Sequence, residues 1–267
     1  MPATGLKKTG QSSQSDDPST EAVVHLKIKE ARVQGCLILN QIKLQRIPSE
    51  LVDKLNCLKH LYLSGCGLRG PLPSCLTRLH QLETLDISQN AINEIPQRIC
   101  EELTRLITLD VSFNRVITLP KTISCLQNLE ELTAAHNKIV VLPSCIGDLA
   151  RLKVLDLTKN LLRDVPGEIF AGRMSCSLIT LKLGGNLIRT LPAEAGLMHN
   201  LEELDLSENC CRYLPSTMRS LRKLKAFHHA ANDWMMCPPH IPGVPAKEQS
   251  SFGCKALEKL YSYVYPP

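Results

Sequence analysis

Between residues 210 and 254 the chain gathers Cys210, Cys211, His228, His229, Cys237, His240 and Cys254, all side chains able to bind zinc. Cys237-Pro-Pro-His240 has a ligand-like gap of two. No second C-x-x-C pair accompanies it, and a structural zinc site asks for four well-spaced ligands. His228 and His229 are neighbours, which on a strand sends them to opposite faces. No metal site is expected. Nucleophile and phosphate patterns are missing as well: there is no G-x-S-x-G and no H-E-x-x-H, and the glycines of "KLGGN" (182–186) form no phosphate loop. The chain is expected to be non-catalytic, without a cofactor or a small-molecule substrate. What remains is acid: Asp86, Asp110, Asp156 and Asp205 recur in equivalent settings, with Ser88, Ser112 and Ser207 two places on. A row of carboxylates repels itself unless a positive partner answers it.

Composition narrows the field further. With 267 residues and 43% hydrophobic content, the chain can bury a sizeable core, and with 4% aromatics that core must be aliphatic. A net charge of +5 without a dense Lys/Arg run argues against nucleic acid. No apolar run approaches the length of a membrane span, so no membrane insertion is expected. The opening "MPATGLKKTGQSSQSDDPST" has no hydrophobic signal region and reads as a disordered tail over 1–20.

Those acids are positioned by a repeat. Asn90, Asn114, Asn137, Asn160, Asn186, Asn209 and Asn232 follow one another at spacings of 24, 23, 23, 26, 23 and 23 residues. Each has an apolar residue eight, five and three places before it and another two places after, save that His229 stands three places before Asn232. Around Asn160 these are Leu152, Leu155, Leu157 and Leu162. Stepping back by 24 gives Cys66 and then Ile42, so nine units fill 36–238. An apolar-Pro pair ends the first half of each unit, from Ile47-Pro48 to Cys237-Pro238.

The pattern L-x-x-L-x-L-x-x-N/C-x-L resembles the leucine-rich repeat family. That resemblance implies an α/β solenoid: a horseshoe with a concave parallel sheet of about nine strands, some 4.8 Å apart, or roughly 40 Å of sheet. In this reading the asparagine is buried where the chain turns out of the strand, and it pairs with backbone groups of neighbouring turns. The proline opens a convex helical segment. An apolar residue three places later points inward: Leu51, Leu76, Ile99, Ile123, Ile146, Ile169 and Met218, with Ala195 as a thinner spot. The 26-residue unit carries its excess at "FAGRMSCSL" (170–178), read as a convex surface loop.

The solenoid ends need caps. Residues 21–35 read as a cap helix with Val24, Ile28 and Ala31 on one side, and 239–267 as a second cap with a Pro-rich link and a terminal helix over 250–264. Asn232-Asp233-Trp234, the Pro-rich link and Gly253-x-x-Ala256-Leu257 resemble the end of intracellular Ras-suppressor-type leucine-rich repeat adaptors.

A concave face of this kind presents the x residues of LxxLxLxxN to a protein partner. The expected contact set is Tyr62, Asp86, Asp110, Asp156, Lys182, Asp205 and His228 in one column, with Phe113, His136, Lys159 and Glu208 just before the asparagines. Phe113 and Tyr62 are the candidate anchors, since aromatics are enriched at interface hot spots. Twelve cysteines at unequal offsets, with no signal peptide, favour a reducing compartment, hence a cytoplasmic protein with nuclear access open. The expected function is a scaffold or adaptor in signalling or complex assembly. The rival readings are a specificity or regulatory subunit of an enzyme complex, such as a phosphatase or ubiquitin ligase, and a secreted or cell-surface protein.

Overall fold

A computed structural model of the chain describes residues 18–44, 47, 52 and 55–233. Each repeat contributes one three-residue strand to a parallel sheet. In chain order these are β1 (Cys36–Ile38), β2 (His60–Tyr62), β4 (Thr84–Asp86), β6 (Thr108–Asp110), β7 (Glu131–Thr133), β8 (Val154–Asp156), β9 (Thr180–Lys182), β10 (Glu203–Asp205) and β11 (Ala226–His228). They pair as nearest neighbours in that order. Register never slips: Leu61 lies opposite Leu85, Leu85 opposite Leu109 and Leu132 opposite Leu155. The middle residue of every strand is buried, from Leu37 to Phe227, so the repeats share one continuous aliphatic core.

The asparagines explain why the strands stop after three residues. Asn137 Oδ1 accepts from the Val116 N–H of the preceding repeat at 2.9 Å. Its Nδ2 donates one hydrogen to the Val111 carbonyl (2.9 Å) and shares the other between the carbonyls of Ala134 and Ala135 (3.2 Å each). Asn90, Asn114, Asn160, Asn186, Asn209 and Asn232 repeat the pattern. One amide thus satisfies backbone in two successive turns, which a buried polar side chain must do to avoid a penalty of about 1–3 kcal/mol per unmet group. Cys66 keeps part of the role, its thiol reaching Leu39 O at 3.1 Å. At Ile42 the role is lost, and Asn40 Oδ1 instead accepts from Ser64 N–H at 2.9 Å. Among the described residues no buried side-chain nitrogen or oxygen lacks a partner.

The residue before each asparagine is left-handed. Gln41, Gly65, Gln89, Phe113, His136, Lys159, Gly185, Glu208 and Ala231 all have φ between +52° and +67°, one per repeat. Seven of the nine carry a Cβ, a conformation disfavoured for L-residues, so hydrogen bonding around the turn must hold it.

Beyond the asparagine, β3 (Arg69–Pro71) and β5 (Ala91–Glu94) pair in a second small sheet, and Thr118 bridges Val141 further along the same flank. The convex side starts at the prolines, which sit just outside the helical turns with φ near −65° and extended ψ; Pro120 has φ −67° and ψ 149°. These segments are mostly single 3-10 turns such as Lys121–Cys125. Among the segments described in full, α2 (Gln97–Glu102) and α3 (Gly167–Ala171) are α-helical. Ile99, Ile123, Ile146, Ile169, Ala195 and Met218 are all buried beneath them. Ala195 leaves no thin spot. The convex segment of the next repeat closes on it, with Thr217 Oγ1 donating to Ala193 O at 2.5 Å and Ser220 Oγ donating to Gly196 O.

The insertion at 170–178 is not a surface loop. It extends α3 into a second turn, Arg173–Cys176, which drives Phe170 and Met174 fully into the core. Two large apolar side chains within five residues gain more from burial than a loop gains from solvation. At the N-terminal end α1 (Pro18–Gln34) begins before residue 21, and it buries Val24, Ile28 and Ala31 against the first strand. The expected cap over 239–267, the proline connector and Trp234, Cys237, His240 and Cys254 lie outside the described residues.

Candidate protein-docking surface

Four carboxylates of the concave column are tied to the fold before any partner arrives. Asp86, Asp110, Asp156 and Asp205 each turn one carboxylate oxygen onto the backbone N–H two residues on, at 2.8–2.9 Å, which steadies the left-handed turn that follows. Ser207 adds its hydroxyl to Asp205 at 2.6 Å, and Ser88 donates to Ser64. Ser64, Ser88 and Ser112 are buried, so that serine column presents little to solvent. All four aspartates stay half-buried in their column of the sheet. Burial raises the Asp110 carboxyl above the ordinary carboxylate range; the hydrogen bonds from Ser112 oppose this, and the Asp86 and Asp156 charges add to it.

At the rim of the sheet the left-handed column sorts itself into pairs. Phe113 and His136, from adjacent repeats, stack with ring centroids 4.2 Å apart and planes 10° from parallel, and Phe113 still exposes 51% of its surface. Lys159 and Glu208 form an ion pair across two repeats, over Gly185. Gln41 Nε2 reaches Gln89 Oε1 at 3.4 Å over Gly65 in the same way. Any side chain at Gly65 or Gly185 would run into the bridging residue, so the glycines clear the path as well as easing the turn. Lys159 and Glu208 are therefore half committed to each other.

The C-terminal part of the sheet brings several expected residues together. Lys182, Asp205, Glu208 and His228 line an open hollow of about 380 Å³ with Glu203. Glu203 sits 3.9 Å from both Lys182 Nζ and His228 Nε2, an acid between two bases. Tyr62, half-buried on β2, stands far along the sheet from this cluster, opposite Ile38 and Asp86 in register. The expected set is thus a band along the sheet, with one convergent cluster and one aromatic stack.

Sequence reasoning passed over the strand-entry columns. Lys59 pairs with Glu83 at 2.8 Å, Lys153 with Glu130 at 2.7 Å and Lys225 with Glu202 at 2.6 Å, while Ile107 and Ile179 occupy the repeats between. The hydrogen bond from Lys59 pulls the Glu83 carboxyl below its usual value. Aligning the repeats in columns would have exposed these pairs, and Glu203 with them. Among the described residues no group of three His, Cys, Asp or Glu side chains is placed to share a metal ion; His229 is buried beside the Phe227 ring and His228 faces the sheet surface.

Residues 20–140 match a leucine-rich repeat region. The chain is a leucine-rich repeat protein. Its solenoid is 33% identical over 192 residues to adenylate cyclase of Schizosaccharomyces pombe, a match covering 70% of this chain and 11% of that one. It is 30% identical over 243 residues to the protein flightless-1 homolog of Caenorhabditis elegans, covering 73% and 17%. The chain thus spans less than a fifth of the length of either relative. Among solved structures, a leucine-rich repeat protein of Leptospira interrogans superimposes with a TM-score of 0.58 at 26% identity, over 79% of this chain and 65% of that one. The Arabidopsis receptor kinase HAESA, in complex with the peptide hormone IDA and the co-receptor SERK1, gives 0.58 at 25% identity, over 74% and 38%. Leucine-rich repeat proteins generally mediate protein–protein interaction. Among the described residues of this one, no helix is long and apolar enough to cross a membrane.

Proposed function

We propose that this leucine-rich repeat protein is a non-catalytic adaptor that holds a protein partner across its concave sheet, with Phe113 as aromatic anchor and the Lys182–Glu203–His228 cluster as the polar contact. The observation that carries this reading is Phe113. A half-exposed phenylalanine, preset on His136 and held in a strained turn, offers a partner apolar area with little left to order on binding. Asp86, Asp110, Asp156 and Asp205 add a half-buried carboxylate row, which suits basic groups on the partner. An intracellular site fits ten described cysteines, all of them free, and the resemblance of residues 232–257 to Ras-suppressor-type adaptors supports a role in signalling or complex assembly.

A second reading, a specificity or regulatory subunit of an enzyme complex, draws on the relatives: in adenylate cyclase of Schizosaccharomyces pombe the matched repeats are a small share of an enzyme. One experiment separates the two. Affinity purification with mass spectrometry is run on the wild type and on a Tyr62→Ala, Phe113→Ala, Lys182→Glu variant checked by circular dichroism. The adaptor reading predicts loss of the principal partner from the folded variant. Copurification of an unchanged catalytic activity would favour the enzyme-subunit reading, and retention of every partner would rule out the concave site.

A further inference from the structure

The two flanks of the solenoid treat their cations differently. Before the strands, each cation is answered by the neighbouring repeat: Arg105 by Gln81, Arg151 by Asn128 at 2.8 Å, and Lys223 by Asn200 at 2.6 Å. After the strands, Arg115, Lys138, Arg163, Arg189 and Arg212 come one from each of five successive repeats. All five are exposed, and among the described residues none has an ion pair or a side-chain hydrogen bond.

Exposed aliphatic side chains share this flank. Ile117 is 55% exposed, Val141 62%, and Leu161 and Leu187 just over 40%. The two chemistries trade columns along the solenoid. One place after the asparagine the residues are Arg115 and Lys138, then Leu161 and Leu187. Three places after, they are Ile117 and Val140, then Arg163, Arg189 and Arg212. Backbone bonds lock the columns together: Lys138 N–H to Val116 O at 2.9 Å, Leu161 N–H to Ile139 O at 2.9 Å, and Leu187 N–H to Leu162 O at 2.8 Å. Successive side chains therefore stand about one strand spacing apart, near 4.8 Å. Unanswered like charges at that spacing repel one another, and the bare aliphatics beside them stay in water.

We propose that the strand-exit flank from Arg115 to Arg212 is a second docking surface, for an acidic polypeptide segment that carries aliphatic side chains. Such a segment relieves both costs at once. Four of the five cations are arginine, whose planar guanidinium accepts a carboxylate in two-pronged geometry. Aliphatic contacts fit a polypeptide better than a nucleic acid, which stacks its bases on aromatic platforms. Asp164, the acid that stands among these cations, pairs with none of them. This surface is separate from the concave sheet, and the proposal holds or fails apart from the adaptor reading.

The test is fluorescence anisotropy with two labelled synthetic peptides, one of glutamate alone and one of glutamate with leucine at every third position. Three variants of equal melting temperature are compared with the wild type. Arg163→Glu/Arg189→Glu/Arg212→Glu should weaken the leucine-bearing peptide about tenfold or more. Arg105→Glu/Arg151→Glu/Lys223→Glu, the same charge change on the other flank, should alter it by about twofold at most. Leu161→Ser/Leu187→Ser should weaken that peptide and leave the all-glutamate one unchanged. Equal loss in both charge-reversal variants would overturn the proposal, as would equal affinity of the wild type for the two peptides. So would displacement of the peptide by polyuridine RNA or by phosphatidylserine vesicles at lower concentration.

Discussion

Phe113 stacks on His136 although both residues are left-handed, with φ of 52° and 53°. The stack is worth about 0.5–1.5 kcal/mol, and a Cβ in that region costs about 1 kcal/mol or more. Phe113→Ala keeps the strain and loses the stack, whereas Phe113→Gly loses the stack and relieves the strain. Urea denaturation should therefore rank Phe113→Ala as the less stable, by about 1 kcal/mol.

The asparagine ladder makes the sharpest stability prediction. Asn137→Ala leaves the Val116 N–H without its acceptor, while the carbonyls of Val111, Ala134 and Ala135 keep Asn114 Nδ2, Asn160 Nδ2 and the Phe113 N–H as donors. One buried donor left unmet should cost about 1–3 kcal/mol. Equilibrium denaturation checks this, and a loss under 1 kcal/mol would show that the turns re-pair without the amide.

Why was that ladder legible while the column beside it was not? The asparagine is one residue type at a fixed period, and burial of an amide demands the same partners every time. The left-handed column is occupied by Gln41, Gln89, Phe113, His136, Lys159, Glu208 and Ala231 as well as two glycines, so no shared chemistry marks it. Its pairs, such as Lys159 with Glu208, form between residues two repeats apart and need the intervening Gly185 to be bare. The concave aspartates were legible as a row. Their structural duty was not, because it lies in a bond to the backbone two residues on. The unpaired arginines of the strand-exit flank escaped notice for a simpler reason: separated by roughly one repeat in sequence, they form no basic run.

Asp110 carries a charge that burial opposes. Its folded-state value lies above the unfolded one, so its contribution favours folding most below the ordinary carboxylate pKa, and that advantage is lost as pH rises through the folded value. Asp110→Asn keeps an oxygen for the Ser112 N–H and removes the charge. Stability of this variant relative to wild type should rise between acid and neutral pH, whereas Asp110→Ala, for want of the acceptor, should lie about 0.5–2 kcal/mol below Asp110→Asn at every pH.

His229 runs the other way. It fills a core position that holds leucine, isoleucine, valine or alanine in the other repeats, and burial lowers its pKa, with the neighbouring His228 adding to the shift. Its contribution is intact above the unfolded histidine value and declines as pH falls through it toward the folded one. Thermal melts of the wild type should drop on acidification below about pH 6.5, and those of His229→Leu should drop less.

Thiol reactivity offers a separate check on the core. Burial pushes Cys100 and Cys211 up to about 12 and Cys66 to about 11, while Cys57, Cys125 and Cys176 are exposed. Iodoacetamide at mildly alkaline pH should label the exposed three in the native protein and spare the buried three until denaturant is added.

The concave docking claim is tested most directly by site-specific photo-crosslinking in cells. Benzoylphenylalanine is placed at Phe113, at the half-buried Thr122 on the convex side and at Val141 on the strand-exit flank, and the adducts are identified by mass spectrometry. Docking on the concave face predicts one dominant protein adduct from position 113 that is absent from position 122. Adducts from position 122 with none from position 113 would contradict it and move the working surface to the convex side.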